Sequence, residues 1–241
     1  MDIASSPWLN PVMRPQLAVV CAFLFSLVAP LHAQVRWNFT SGTAPTSPPS
    51  VITGGAITAV NSESGPATVD GAEVSTGYDN ASGGNNLAIH ARIGNLSVTP
   101  TYLQFTLTPT AGVNLKAVSV ALGTRSTATG PTALLLFSSV NAFATAIGTA
   151  NVAADGTWRL VTFSALALDP GAGTPLTFRI YGNSGSGTEA ANWRVDDVRV
   201  TFAGPTVTAQ PSPVTVISGE PAAFSVTATG AGTLTYQWRR G

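Results

Sequence analysis

The chain has 241 residues, with eleven basic and eleven acidic side chains that give a formal net charge of zero at pH 7. Charged residues make up only 9% of the sequence, and they form neither a basic patch nor a charge run. This composition argues against nucleic acid as a partner and against a charged interaction tail.

The first predicted element is a secretory signal peptide at residues 1–33. Residues 15–29 form an uncharged apolar run that follows Arg14, and Ala33 provides the small residue at a cleavage point before Gln34. The run is shorter than the ~20 residues that span a bilayer, so a cleaved signal is favoured over an uncleaved anchor. We therefore expect an exported chain with no membrane span after cleavage.

The composition beyond residue 33 limits the chemistry of the exported chain. The one cysteine, Cys21, lies inside the apolar run, so the exported part has no disulfide and depends on core burial or bound ions. Its one histidine, His90, is predicted to be an exposed strand residue. A single histidine argues against a His-based zinc site and against a Ser-His-Asp triad.

Residues 34–203 have the pattern of an all-β domain. Apolar and polar residues alternate in short segments separated by Gly, Pro, Asn and Ser, which is typical of half-buried strands. We predict a two-sheet β-sandwich, a jelly roll, whose first strand pairs near its last and whose connections include 40–49 and 61–86. The predicted strands are 35–39, 87–93, 103–108, 118–122, 133–137, 158–163, 176–181 and 193–202.

Two sets of side chains in this domain could contact a sugar. The first set lies in the 61–86 connection, where a solvated loop is nevertheless favoured. The second set is Trp37, Trp158 and Trp193, for which core packing is favoured over an exposed aromatic platform. The polar and aromatic residues of the connection are Glu63, Asp70, Glu73, Tyr78, Asp79, Asn80, Asn85 and Asn86.

The last predicted strand contains two adjacent carboxylates. Counting back by two from Val198 places Asp196 on the inward face, whereas Val195 falls on the opposite face. Either a β-bulge at Asp196 and Asp197 switches the register, or Asp196 points into the end of the core. A buried carboxylate needs a metal, an arginine or backbone N–H groups as partners. A hydrogen-bonded, structural Asp196 is favoured over an exposed one.

Four segments resemble a family of poorly characterised jelly-roll modules in secreted bacterial proteins, namely WNFTSG at 37–42, TGPTALLLFSSVNAFATAIG at 129–148, TPLTFRIYG at 174–182 and NWRVDDVRV at 192–200. The last of them is similar to the Ile-Asp-Asp-Val ending of several carbohydrate-binding jelly rolls. That resemblance implies that Asp196 helps to hold a structural calcium ion. Those modules usually add an acidic ligand from the first strand, where this chain has Asn38, and calcium takes about six to eight oxygens.

The final segment, 204–241, resembles the start of a bacterial immunoglobulin-like domain after a Gly204-Pro205 linker. Tyr236-Gln237-Trp238 stands at the place of the third-strand tryptophan, and Val226 stands where antibody-type domains carry a disulfide cysteine. Such a sandwich needs roughly 100 residues and seven strands, of which about three are present. We therefore expect this segment to be truncated and the chain to be the front part of a longer multi-domain protein.

No constellation for catalysis is visible in the sequence. Sandwich glycosidases direct two acidic residues toward one cleft, and this chain has no E-x-D or D-x-E pair, no nucleophile elbow and no Gly-rich phosphate loop. We expect a non-catalytic extracellular or cell-surface module for adhesion or glycan binding, with an extracellular glycan or a cell-surface protein as partner. A structural spacer and an accessory module of a secreted glycoside hydrolase are the alternatives.

Overall fold

The computed structural model describes residues 32–62, 66–91, 100–187, 189–217 and 219–231, together with residues 234, 236 and 238. The predicted signal peptide, apart from its last two residues, lies outside this described part of the chain. The same is true of Glu63, one of the candidate residues of the 61–86 connection.

The described chain is all-β, and its helical structure is limited to a 3-10 turn at Ser139–Asn141. Within the described ranges, no helix is long and apolar enough to cross a membrane. In chain order the strands are β1 (Gln34–Trp37), β2 (Ile52–Gly54), β3 (Thr58–Val60), β4 (Thr68–Asp70), β5 (Asn86–Ile89), β6 (Tyr102–Pro109), β7 (Ala117–Ser126), β8 (Ala133–Ser138), β9 (Gly148–Asn151), β10 (Arg159–Phe163), β11 (Leu176–Asn183), β12 (Trp193–Phe202), β13 (Thr206–Ala209) and β14 (Thr227–Thr229).

Strands β1 to β12 form two antiparallel sheets. The first sheet has the order β10-β7-β12-β5-β4, and β1 also pairs with β12. The second sheet has the order β2-β6-β11-β8-β9, and β3 also pairs with β6. Apolar side chains from both sheets pack into one core, as the two layers of a sandwich require. The predicted all-β jelly-roll sandwich is confirmed.

Alternation along the central strands builds this core. Phe105 on β6 and Phe178 on β11 point inward, and their ring centroids lie 5.5 Å apart. Trp37 on β1 reaches the same cluster, with its ring centroid 4.9 Å from that of Phe105. Fully burying one such side chain contributes about 1.5–3 kcal/mol, so the alternating pattern fixes which face of each strand turns inward.

The three tryptophans of the sandwich are buried, and two of them, Trp37 and Trp193, belong to the core between the sheets. Trp37 and Trp193 are 0% exposed and Trp158 is 7% exposed. The indole N–H of Trp37 donates to the carbonyl of Gly55, and that of Trp193 donates to the hydroxyl of Thr124, each at 3.0 Å. These partners offset the cost of burying a polar N–H. The prediction of core packing is confirmed for Trp37 and Trp193. Trp158 is buried outside that core, with its ring centroid 6.3 Å from that of Tyr78, so the alternative of an exposed tryptophan platform is wrong.

The first and last strands of the sandwich pair as predicted. β1 runs antiparallel to β12, with Val35 opposite Val200, and residues 40–49 contain no strand. The strands that the sequence did not predict are β2, β3, β4 and β9, which have three or four residues each. Segments this short carry too few alternating positions to be distinguished from a connection.

A β-bulge interrupts β12 at its two carboxylates. The pairing with β7 shifts between Asp196 and Arg199, and Asp197 has a φ of 49°. Val195 and Val198 both lie in the core, although they are three residues apart and would face opposite ways in a regular strand. The predicted bulge is therefore confirmed. The alternative, in which Asp196 points into the end of the core, is wrong.

Beyond the sandwich, β13 pairs with β14 in a separate two-stranded sheet. The rings of Phe224 and Trp238 lie 6.2 Å apart, and Trp238 is 42% exposed. The assignment of this segment to an immunoglobulin-like domain stays a prediction.

Candidate functional site

The outer surface of the second sheet presents aromatic and polar side chains on three neighbouring strands. Because Leu103, Phe105, Phe178 and Ile180 turn into the core, the residues between them on β6 and β11 turn outward. Tyr181 lies opposite Tyr102 on one side and Leu135 on the other, and Arg179 likewise lies opposite Gln104 and Phe137. We call this surface the aromatic face, formed by Tyr102, Gln104, Leu135, Phe137, Phe143, Arg179 and Tyr181.

The tyrosines of the aromatic face are packed against each other and half-buried. The ring centroids of Tyr102 and Tyr181 are 4.6 Å apart with an interplanar angle of 31°. The ring of Phe137 meets Tyr181 edge-on at 5.2 Å. Such ring pairs are favourable beyond the area that they bury, so the rings are held in place. Each tyrosine therefore offers a ring surface and a hydroxyl in a fixed position.

Arg179 connects the aromatic and polar parts of this face. Its Nε donates to the side-chain oxygen of Gln104 at 2.8 Å. Its guanidinium carbon lies 4.0 Å from the ring centroid of Phe143 and 5.1 Å from that of Tyr102, which is cation–π geometry. These contacts orient the guanidinium and leave its terminal nitrogens without a hydrogen-bond partner in the described chain.

Phe143 reaches the face through an unusual backbone conformation. Ala142 and Phe143 have φ values of 54° and 59°, a region that residues with a side chain rarely occupy. The turn is held by a hydrogen bond from the Phe143 amide to the carbonyl of Ser138, at 3.0 Å. Backbone strain of this kind persists only where the surroundings enforce it, and it is concentrated at functional positions. Here the strained turn places the ring of Phe143 against the guanidinium of Arg179.

The outer surface of the first sheet differs, because residues 71–85 lie across it. We call these residues the covering loop. Arg194, 5% exposed, donates from Nη1 to Asp70 at 2.7 Å and to the side-chain oxygen of Asn86 at 2.8 Å. Arg125 pairs with Glu73 at 2.8 Å. Buried charges are tolerated only when they are paired in this way.

Tyr78 anchors the middle of the covering loop on the sheet. Its hydroxyl lies where β7 has Gly123, and a Cβ at that glycine would be 2.1 Å from the hydroxyl oxygen. The hydroxyl donates to Asp197 at 2.8 Å. Burial raises the pKa of the Tyr78 phenol well above its usual range, and the Asp197 carboxylate adds to this effect. The glycine is thus required for close approach of the loop.

Asp196 lies beneath the covering loop and is 0% exposed. Its Oδ2 accepts from the hydroxyls of Ser75 at 2.5 Å and Ser82 at 3.3 Å, and its Oδ1 accepts from the Asp197 amide at 2.7 Å. Burial raises the pKa of this carboxyl to about 6, the Ser75 hydrogen bond opposes the shift, and the charge on Asp197 adds to it. Its contacts are those of a hydrogen-bonded structural residue.

Asp197, which a regular strand would expose, is also 0% exposed. Its Oδ1 forms an ion pair with Arg36. Its Oδ2 accepts from the Tyr78 hydroxyl and from the Ser82 amide, each at 2.8 Å. Asp197 is therefore not a solvated carboxylate, because the bulge directs it beneath the loop.

These contacts bear on the predicted calcium at Asp196. Every carboxylate oxygen of Asp196 and Asp197 already accepts from an O–H, an N–H or a guanidinium. Asn38, the first-strand candidate, accepts from the Thr46 hydroxyl at 2.7 Å. No group of three or more His, Cys, Asp or Glu side chains in the described ranges is arranged to hold a metal. This donor set does not fit the oxygen shell of calcium, and calcium at Asp196 stays a prediction.

Of the other candidate residues in the 61–86 connection, some lie on or against the first sheet and others are exposed. Asp70 and Asn86 belong to β4 and β5 of the first sheet, and Glu73 and Tyr78 contact that sheet. The expectation of a solvated loop is therefore wrong for these four residues. Asp79 and Asn80 are exposed, and Asn85 is half-buried. His90 is half-buried rather than exposed, and its Nδ1 is buried without a hydrogen-bond partner within the described chain.

The aromatic face was not predicted as a site from the sequence. Its signal is present, since Tyr102, Arg179 and Tyr181 occupy outward positions of alternating strands. The positions that face one another across strands depend on register, which the alternation alone does not give. Phe143 follows a turn and belongs to no periodic segment.

Comparison with known proteins gives likenesses of fold. No family model matches the chain, and no curated protein matches it. A C-terminal CBM6 module of a marine laminarinase from Zobellia galactanivorans is 16% identical, with a TM-score of 0.35, over 70% of this chain and 98% of that one. A CBM6 module of Cellvibrio mixtus lichenase 5A, solved with cellotriose, is 16% identical with a TM-score of 0.34, over 61% of this chain and 97% of that one.

The K1 cleaved adhesin domain of Lys-gingipain from Porphyromonas gingivalis W83 is 14% identical with a TM-score of 0.38, over 71% of this chain and 99% of that one. Likeness at these levels says nothing about a shared ligand. What this chain binds has to be inferred from its own residues.

Proposed function

We propose that this chain is a non-catalytic extracellular module that binds a glycan on its aromatic face. The observation that carries the proposal is the stacked pair Tyr102 and Tyr181, joined to Arg179 and Gln104 on one open sheet surface. A sugar ring has an apolar C–H face and a rim of hydroxyls. Tyrosine rings match the first, and hydroxyl, amide and guanidinium groups match the second.

The dimensions of the face favour a chain of sugars over a single ring. The row Val60, Tyr102, Tyr181 and Leu135 crosses four adjacent strands. At about 4.8 Å between strands, such a row is roughly 14 Å long. Arg179 is the one charged residue among the seven that define the aromatic face. Gln104 and two aromatic rings hold its guanidinium, whose terminal nitrogens can donate to sugar hydroxyls. A neutral oligosaccharide is therefore the ligand class that we propose.

The position of the acidic residues supports the proposal of binding without catalysis. Glycoside hydrolysis uses two carboxyl groups on either side of the scissile bond, and the seven residues that define the aromatic face include none. The adjacent pair Asp196 and Asp197 belongs to the other sheet and is fully buried. In this proposal the two carboxylates hold the covering loop on the first sheet and do not act on a sugar.

The proposed location is outside the cell, with residues 1–33 as a cleaved signal, 34–203 as the binding module and 204–241 as the start of an immunoglobulin-like domain. Gln34 begins β1, and the carbonyl of Ala33 accepts from the Phe202 amide at 3.0 Å, so cleavage between Ala33 and Gln34 would leave every residue of β1 in place. N-terminal sequencing of the exported protein should begin at Gln34. Retention of residues 1–33 would instead indicate an anchored chain.

A glycan array probed with the full chain tests the proposal. We expect signals on neutral oligosaccharides of two or more sugar units, and the Tyr181→Ala protein, checked for folding by thermal melting, should lose them. Absence of any neutral glycan signal for the folded protein would overturn the proposal and favour the structural spacer.

A further inference from the structure

A second open surface lies on the first sheet, beside the covering loop. It is a groove of about 410 Å³ lined by Gln34, Arg36, Asn80, Ser119, Thr162 and Arg199, with Ala121 at its floor. We call it the arginine groove. Its floor is one straight row across the sheet, in which Arg36 faces Arg199, Arg199 faces Ala121, and Ala121 faces Thr162.

The two arginines of the groove are in different electrostatic states. Like charges directly opposite on neighbouring strands are unfavourable. Arg36 is neutralised by its ion pair with the buried Asp197, and it also donates to the carbonyl of Asn80 at 2.9 Å. Arg199 has neither an ion pair nor a side-chain hydrogen bond with any described residue. The groove therefore contains one guanidinium without a charged partner, and a bound anion would pair with it.

The remaining lining is polar and uncharged. Gln34 contributes a side-chain amide, and Ser119 and Thr162 contribute hydroxyls. The small side chain of Ala121, 3% exposed, leaves space between Arg199 and Thr162. A peptide that anchors through an aromatic or aliphatic side chain would need an apolar pocket, and this lining has none. Hydroxyl and amide groups around one guanidinium instead match a sugar that carries a carboxylate.

We propose that the arginine groove binds a uronate residue of an acidic polysaccharide, with its carboxylate on Arg199 and its hydroxyls on Gln34, Ser119 and Thr162. Guanidinium and carboxylate form paired hydrogen bonds in a plane, and the groove volume lies within the usual range for small-molecule sites. The site is on the opposite sheet from the aromatic face and takes an anionic ligand. It goes beyond the proposed function and does not depend on it.

Titration calorimetry of the full chain with trigalacturonate tests this site, and the fully methyl-esterified trimer is the matched neutral ligand. Because the neutral ester could also bind on the aromatic face, the two ligands are compared in the Tyr181→Ala chain, where we expect binding of trigalacturonate only, weakened by added salt. Arg199→Gln should lower the affinity about tenfold or more, since it removes the charged partner. The control Arg159→Gln removes the same charge from β10 of the same sheet and should change the affinity less than about twofold.

Three results would overturn the proposal. They are no binding of trigalacturonate by the folded protein, equal binding of the ester by the Tyr181→Ala protein, and equal affinity in the Arg199→Gln protein. Tighter binding of a glutamate oligomer than of trigalacturonate would also overturn it, in favour of an acidic protein partner. Tyr181→Ala should leave trigalacturonate binding unchanged. Failure of the groove and failure of the aromatic face are therefore separate outcomes.

Discussion

The buried carboxyl of Asp196 should make the stability of the module depend on pH. Burial raises its pKa from 3.8 to about 6 in the folded chain, while the unfolded chain keeps an ordinary value. Folding thus favours the protonated carboxyl. Its stabilising contribution is fully present below the unfolded pKa of 3.8 and is lost as the pH rises through about 6. A shift of about two pKa units corresponds to roughly 3 kcal/mol.

The substitution Asp196→Asn isolates this contribution. Asn keeps the shape of the side chain and cannot ionise, while the hydroxyls of Ser75 and Ser82 can rotate to accept from its amide. Urea unfolding at pH values from about 4 to 7 gives the free energy of unfolding of both proteins. The free energy of unfolding of the variant, measured relative to that of the unchanged protein, should increase by up to roughly 3 kcal/mol as the pH rises. Asp79→Asn, at an exposed loop position, is the control.

Titrating groups common to both proteins cancel in this difference, so a difference that is constant with pH would refute the reasoning. Thermal melting of the unchanged chain and of the Asp196→Ala protein decides the role of calcium. If hydrogen bonds satisfy Asp196, the melting temperature should be equal with added calcium and with chelator. A calcium-dependent rise that disappears in Asp196→Ala would instead establish a structural ion.

Two further substitutions test the covering loop. Asp197→Ala should destabilise the module by at least about 2 kcal/mol in chemical unfolding, because Arg36 and the Tyr78 hydroxyl lose a buried charged acceptor. A loss of stability below about 0.5 kcal/mol is typical of a surface residue and would contradict the burial of Asp197 beneath the covering loop. Gly123→Ala should cost about 1–3 kcal/mol, since its Cβ would displace Tyr78 from the sheet. Ser119→Ala on the same strand should melt close to the unchanged protein, and equal melting of both variants would show that the loop is not packed there.

The alternating pattern was sufficient to predict the sandwich and the pairing of its first and last strands. Leu103, Phe105 and Phe178 are buried on the inward face of their strands. Because burial strongly favours apolar residues at inward positions, the alternation is visible in the sequence. Four strands of three or four residues were not predicted, because they present too few positions for a periodic signal.

The sequence indicated that a β-bulge was one of two possible structures at Asp196 and Asp197, but it could not decide between them. The phase conflict between Val195 and Val198 has two solutions, and only the pairing with β7 selects one. The covering loop likewise has no periodicity, and its place on the sheet depends on contacts between residues more than a hundred positions apart, such as Tyr78 with Asp197. The aromatic face depends in the same way on cross-strand register.

The central claim, that the aromatic face binds a neutral glycan, is tested most directly by the affinity of single-tyrosine variants. The ligand is the strongest neutral oligosaccharide of the array, and the control is Tyr236→Ala, which removes a 51% exposed tyrosine outside the sandwich. Tyr181→Ala should weaken binding at least tenfold, about 1.4 kcal/mol, through loss of the stacked ring, while Tyr181→Phe retains most of the affinity and Tyr236→Ala changes nothing. Equal affinity of the folded Tyr181→Ala protein and the unchanged chain would contradict the claim.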